Sequence, residues 1–128
     1  GEKYHFSISH CGDYAAVIVS KEMRVGIDIE LIRQKIELIK HKFLNDTEIL
    51  LLKANDLQQL TLLWNCKEAV FKWYGKGGLD FKKNIVIEKI QIHNDRGIVD
   101  CLFTMDRKRR IEIDFCFFQN LCLAWIAE

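Results

Sequence analysis

Arg24 to Glu30 reads RVGIDIE. Val25, Ile27 and Ile29 alternate with Gly26, Asp28 and Glu30, so the period is two and the stretch reads as a short strand. Alternation sends the apolar residues to one face and both carboxylates, Asp28 and Glu30, to the other, where they repel each other. A wet face or a basic partner would relieve that repulsion. So would a metal ion. Residues two apart on a strand project from one face roughly 7 Å apart, so both carboxylates can reach one hard cation. Magnesium takes one or two protein carboxylates together with waters and substrate phosphates. Alone, Asp-x-Glu on a strand is a weak signal, because paired acids on a wet surface are common.

Working outward, Tyr4 to His10 also alternates, with Tyr4, Phe6 and Ile8 on one face and His5, Ser7 and Ser9 off it. Cys11-Gly12-Asp13 is a turn signal, and Tyr14 to Ser20 is a β-branched, apolar second strand. Lys21 to Met23 links it to RVGIDIE, so the three strands are expected to form an antiparallel meander. The period then changes. Ile36 to Phe43 suits a short helix, Asn45 or Asp46 caps another, and Leu50 to Ala54 follows. A longer helix is predicted from about Asp56 to Tyr74, with Leu60, Leu63, Trp64, Val70, Phe71 and Tyr74 at helical spacing. Gly75-Lys76-Gly77-Gly78 ends it. Period two returns in Asn84 to His93, Ile98 to Met105, Arg110 to Phe118 and Leu121 to Ala127, with turns at Asn94 to Gly97 and Asp106 to Arg109. Strands, helices, then strands predict an α+β domain, with helices against one face of an antiparallel sheet.

The 128 residues fit one domain, and 49% hydrophobic residues exclude disorder. A net charge of +1 supplies no global field toward nucleic acid or an acidic membrane. No apolar run reaches the ~18 residues that span a bilayer. The five cysteines include no C-x-x-C pair, so they read as reduced thiols of a cytoplasmic protein. The chain lacks proline and opens at Gly1 without methionine, which is expected of a piece of a longer protein.

Two further stretches carry chemistry. In WNCKEAVFKWYGKG, Trp64 to Gly77, residues Trp64, Glu68 and Lys72 are four apart and stack along one stripe of the helix. Glu68 borders the apolar face, where a carboxylate needs a partner. In FSISHCGDY, Phe6 to Tyr14, Ser9 and His10 end a strand at a glycine turn, where an anion can be met. A Ser-His-Asp hydrolase is a poor reading, because the G-x-S-x-G elbow is absent and Ser9 and His10 point to opposite faces.

In the order FSISH, VGIDIE, then W-x-x-K-E-A-x-x-K, the chain resembles the 4′-phosphopantetheinyl transferases from Phe6 to Gly77. FSISH ahead of the GID strand is similar to the larger, two-halved kind that includes surfactin-synthetase activators, rather than the small holo-acyl-carrier-protein synthases. The resemblance implies transfer of phosphopantetheine from coenzyme A to a serine of an acyl or peptidyl carrier protein, releasing 3′,5′-ADP. It implies Mg²⁺ held by Asp28, Glu30 and Glu68, and Lys72 at the transferred phosphate. Lys67 would screen charge nearby, Ser9 and His10 would meet the 3′-phosphate region of coenzyme A, and Glu68 would accept the serine proton. It also implies that residues 1–23 are the last hairpin of an absent N-terminal half and 24–128 the C-terminal half. Ala15-Ala16-Val17-Ile18-Val19 then echoes Leu123-Ala124-Trp125-Ile126-Ala127 as matching last strands. A chain lacking its other half is expected to bind coenzyme A weakly or to pair with another copy. Two rivals remain: a non-catalytic carrier-binding module, and a metal-dependent nuclease using Asp-x-Glu with Glu-x-x-x-Lys, which would need a basic groove where the sequence offers only the cluster Arg107 to Arg110, at a hairpin tip.

Overall fold

Alternating stretches become seven strands, and the long helical period becomes one long helix. The computed structural model describes residues 3–53 and 56–128. Gly1, and Ala54 at the end of the predicted Leu50 to Ala54 segment, lie outside them. Strands β1 (His5–Cys11) and β2 (Tyr14–Ser20) form a two-stranded hairpin. Strands β3 (Val25–Leu31), β4 (Ile85–His93), β5 (Arg96–Phe103), β6 (Arg109–Phe118) and β7 (Leu121–Ala127) form a five-stranded antiparallel sheet, ordered β3, β7, β6, β5, β4. Between β3 and β4 run a 3-10 helix, Gln34–Ile39, and helices α1 (Lys40–Phe43), α2 (Asp46–Ile49) and α3 (Leu57–Tyr74). The fold is α+β with its helices on one face of the sheet, as the pattern predicts.

Local chemistry sets the helix ends. The Asn45 side chain accepts from Glu48 N at 2.8 Å and Glu48 Oε1 accepts from Asn45 N at 2.9 Å, a reciprocal cap that starts α2. Asp56 caps α3 by accepting from Gln59 N at 3.0 Å. Gly75 ends it at φ 72°, a left-handed conformation that costs glycine little. The first turn of the second sheet is tighter than expected. His93 pairs with Arg96 across Asn94-Asp95, so β5 starts at Arg96 instead of Ile98.

The meander is not formed. β3 pairs with β7, from Val25 opposite Ala127 to Leu31 opposite Leu121, and its other edge meets β1 through side chains. Ile27 N and Ile29 N donate to Ser7 Oγ and Ser9 Oγ, each at 3.1 Å. Two serine hydroxyls thus do for β3 what a backbone ladder would have done, and its outer N–H groups are not orphaned. The cost falls on the hairpin. Its serine face is turned inward, with Ser9 6% exposed, and its apolar face outward, with Phe6 66% and Val19 59% exposed.

Helix α3 lies against the Gly26, Asp28 and Glu30 side of β3. A Cβ at Gly26 would sit 2.1 Å from Ala69 O and 2.6 Å from Trp73 N, so only glycine lets the helix come this close. The core lies between α3 and the sheet, where Leu60, Leu63, Cys66, Val70 and Trp73 meet Ile87, Cys101, Ile113 and Ile126. Phe71, read as part of the apolar stripe, is instead exposed. All five thiols are free; Cys66, Cys101 and Cys122 are buried, and burial pushes Cys101 up to about 12. No helix among the described residues is long and apolar enough to cross a membrane.

Candidate active site

The three sequence stretches meet at Asp28. Strand β3 turns Asp28 under α3, and the side chain is buried, not wet. Ser9 Oγ, from β1, donates to Asp28 Oδ1 at 3.2 Å. Lys72 Nζ, from the last turn of α3, donates to the same oxygen at 3.1 Å. Asn65 Nδ2, two turns earlier, donates to Asp28 Oδ2 at 3.0 Å and to the Asp28 backbone O at 2.8 Å. Glu30 lies one alternation along the strand, and its Oε1 accepts from Trp64 Nε1 at 2.9 Å. Trp64 is itself wedged against Phe43 and Phe81, with ring centroids 5.0 and 5.7 Å away. It therefore aims Glu30 as well as filling space.

Electrostatics show what the cluster lacks. Burial raises the pKa of Asp28 against the opposing pull of Asn65 and Lys72. Burial, and then the Asp28 charge, push Glu30 up to about 7. Glu68 is raised by burial and by Asp28, with Lys72 acting in the other direction. Three carboxylates thus sense one another, with one lysine as counter-ion. A pH dependence follows. Between about 4.5 and about 7 folded Glu30 keeps a proton that the unfolded chain has released. Unfolding releases that proton, so raising pH through this window lowers stability. Melting temperatures of the metal-free chain are expected to fall from about pH 5 to about pH 8, and Glu30→Gln should flatten the decline. A wild-type profile that rises over that range would contradict the arrangement.

Not every expected residue arrives. Lys67, expected to screen charge beside Glu68 and to touch coenzyme A, makes its bonds away from Asp28. One residue is about 100° of helix rotation, and Lys67 points away from β3. Its Nζ donates to Phe43 O at 2.7 Å, Phe81 O at 2.6 Å and Glu48 Oε1 at 2.9 Å, with no exposure at all. Burial lowers its pKa while Glu48 raises it. Ser9 is brought to Asp28, but His10 stands exposed on the outer face of the hairpin, as alternation requires. Three residues that the sequence reading did not assign belong to the site's frame: Gly26, Asn65 and Trp64. Trp64 was legible as part of the stripe with Glu68 and Lys72 but not as the partner of Glu30, and Asn65 had a weaker signal, a polar residue three before Glu68 and so on nearly the same helix face.

One buried carboxylate, Asp28, and two half-buried ones, Glu30 and Glu68, thus come from a strand and a helix with Lys72 at their edge. A family model for the 4′-phosphopantetheinyl transferase superfamily matches residues 24–125. The chain belongs to that superfamily. The match begins at Arg24, so the hairpin with FSISH lies ahead of it. No curated protein matches the chain.

The donor set of Asp28, Glu30 and Glu68 fits a hard, oxygen-seeking cation such as Mg²⁺, because a cation would offset the burial that raises all three and the Asp28 charge that further raises Glu30 and Glu68. Among the described residues no group of three or more His, Cys, Asp or Glu side chains is placed to hold a metal as they stand. The lysine ammonium occupies the neighbourhood instead, through Asp28 Oδ1.

Proposed function

We propose that this chain supplies the metal and phosphate side of a phosphopantetheinyl transfer site. The substrate is coenzyme A, and the acceptor is a serine of an acyl or peptidyl carrier protein. The single observation that carries this reading is the meeting of Ser9, Asn65 and Lys72 on Asp28, because residues from the other two stretches serve one carboxylate of the third.

In this reading Asp28, Glu30 and Glu68 would hold Mg²⁺, which would supply positive charge against the substrate's pyrophosphate. Lys72, which holds Asp28 Oδ1 through its mobile ammonium, would turn to the transferred phosphate. The serine oxygen bonds to the phosphorus that carries the pantetheine arm, the bond from that phosphorus to 3′,5′-ADP breaks, and Glu68 takes the serine proton. Ser9 keeps Asp28 in place, and exposed His10 is left to meet the 3′-phosphate. Lys67 has no part in it.

We further propose that residues 1–23 belong to the end of an N-terminal half and 24–128 to the C-terminal half. The outward apolar face of the hairpin supports this, because such a face is built to be covered. The abutting hairpin ends support it too, with Tyr14 packed on Phe118 at 6.4 Å and its hydroxyl donating to Gln119 Oε1 at 3.0 Å. Sub-micromolar coenzyme A binding by this chain as a monomer would count against it. The nuclease reading loses ground, since Arg109 pairs with Glu128 at 3.1 Å and Arg110 with Glu88 at 3.2 Å.

The test mixes the protein with coenzyme A and an apo carrier protein, with and without Mg²⁺. The expected result is a Mg²⁺-dependent gain of one phosphopantetheine in the carrier's mass, with release of 3′,5′-ADP. Carrier binding that ignores Mg²⁺ and never modifies the carrier would favour the non-catalytic module.

A further inference from the structure

We propose that Asn65 is a positioning residue that selects Oδ2 of Asp28 as the atom offered to the metal. This rests on the function proposed above. A carboxylate oxygen accepts about two hydrogen bonds. Oδ1 of Asp28 already has two donors, Ser9 Oγ and Lys72 Nζ. Oδ2 has one, Asn65 Nδ2. While Lys72 stays on Oδ1, the remaining lone pair of Oδ2 is therefore the place where Asp28 can bind a cation without breaking an existing bond.

Asn65 fixes that lone pair doubly. Its amide nitrogen spans the Asp28 backbone O at 2.8 Å and Oδ2 at 3.0 Å, which locks the carboxylate against its own main chain. The amide orientation is forced. Exchanging its oxygen and nitrogen would set an acceptor against two acceptors. The arrangement has a cost, since Asn65 Oδ1 is buried with no hydrogen-bond partner among the described residues. A leucine would fill this fully buried place between α3 and β3 with no orphaned carbonyl. The two donors are what leucine would lack. A partner that orients a metal ligand typically governs metal affinity about 10- to 100-fold.

The probe is Mn²⁺ alone, without coenzyme A, titrated into the 128-residue chain and read by electron paramagnetic resonance. Asn65→Leu and Asn65→Ala are each expected to weaken Mn²⁺ binding about tenfold or more while melting cooperatively without metal. Asn65→Ala carries the test if the leucine variant does not fold. Thr61→Val is the control. Thr61 is another buried residue of α3 with an unpartnered oxygen, but it makes no bond to Asp28, so its affinity should not change. Unchanged affinity in a folded Asn65 variant, or an equal loss in Thr61→Val, overturns the inference alone. Asp28→Ala separates the two levels. If the wild-type chain binds no Mn²⁺, or binds it as well after Asp28→Ala, the metal reading falls and the inference with it.

Discussion

Lys67→Ala is expected to destabilise the domain by about 3–5 kcal/mol, because it leaves Glu48 charged, buried and without its cation. That is a large share of the roughly 5–15 kcal/mol that holds a domain of this size together. The melting temperature should drop by roughly 10–20 °C, or the protein should not fold at all. The reason is connectivity. Glu48 Oε2 accepts from Ile87 N at 2.8 Å, Glu48 Oε1 accepts from Asn45 N, and Lys67 closes the group from α3. One ion pair therefore ties α2, α3, β4 and the Phe81 turn together. Replacing both partners at once, Lys67→Met with Glu48→Leu, should recover most of the loss, since apolar side chains of similar volume need no desolvation. Circular dichroism melts of the three variants decide it. A Lys67→Ala protein that melts like the wild type but no longer binds coenzyme A would return Lys67 to the active site.

Asp28→Ala and Glu68→Ala are expected to lower phosphopantetheine transfer by about 10²–10³-fold each, the worth of several kcal/mol of charge stabilisation. Carrier binding should persist, because neither residue is exposed enough to form a docking surface. Folding should survive better than in Lys67→Ala. Burial already disfavours the charge on Asp28 and on Glu68, so removing either also removes repulsion. Transfer rates with saturating Mg²⁺ and an apo carrier check this. Near-normal transfer by either variant would sink the metal assignment.

The two predictions concern neighbouring residues, Lys67 and Glu68, and they separate what could be read from the sequence from what could not. The i, i+4 stripe of Trp64, Glu68 and Lys72 was legible because helix periodicity is local. That Trp64 would aim Glu30, or that Lys67 would find Glu48, depended on where α2 and the Phe81 turn came to rest. Glu48 itself reads only as an acid in a helical first turn, with nothing to mark it as the partner of a lysine nineteen residues away. The same division holds for the strands. Alternation placed Asp28 and Glu30 on one side of β3, but it also suggested a meander that the chain does not form. Strand pairing is non-local. Ser7 and Ser9 fill the edge that β2 would have taken, while β7 arrives from the far end of the sequence.

By itself, then, the sequence determined the α+β class, most strand extents and the long helix to within a few residues, and two stretches, VGIDIE and W-x-x-K-E-A-x-x-K, that lie inside the superfamily match. Each depends on periods of 2 and 3.6 residues or on the spacing of residue types, which the chain carries locally. The tertiary structure decided that Asp28 is buried and not wet, that Ser9 holds it while His10 does not, that Gly26 admits α3, and that Lys67 pairs with Glu48 and not with Asp28. Those outcomes turn on which surfaces meet and how close they come, and packing settles distances that periodicity leaves free.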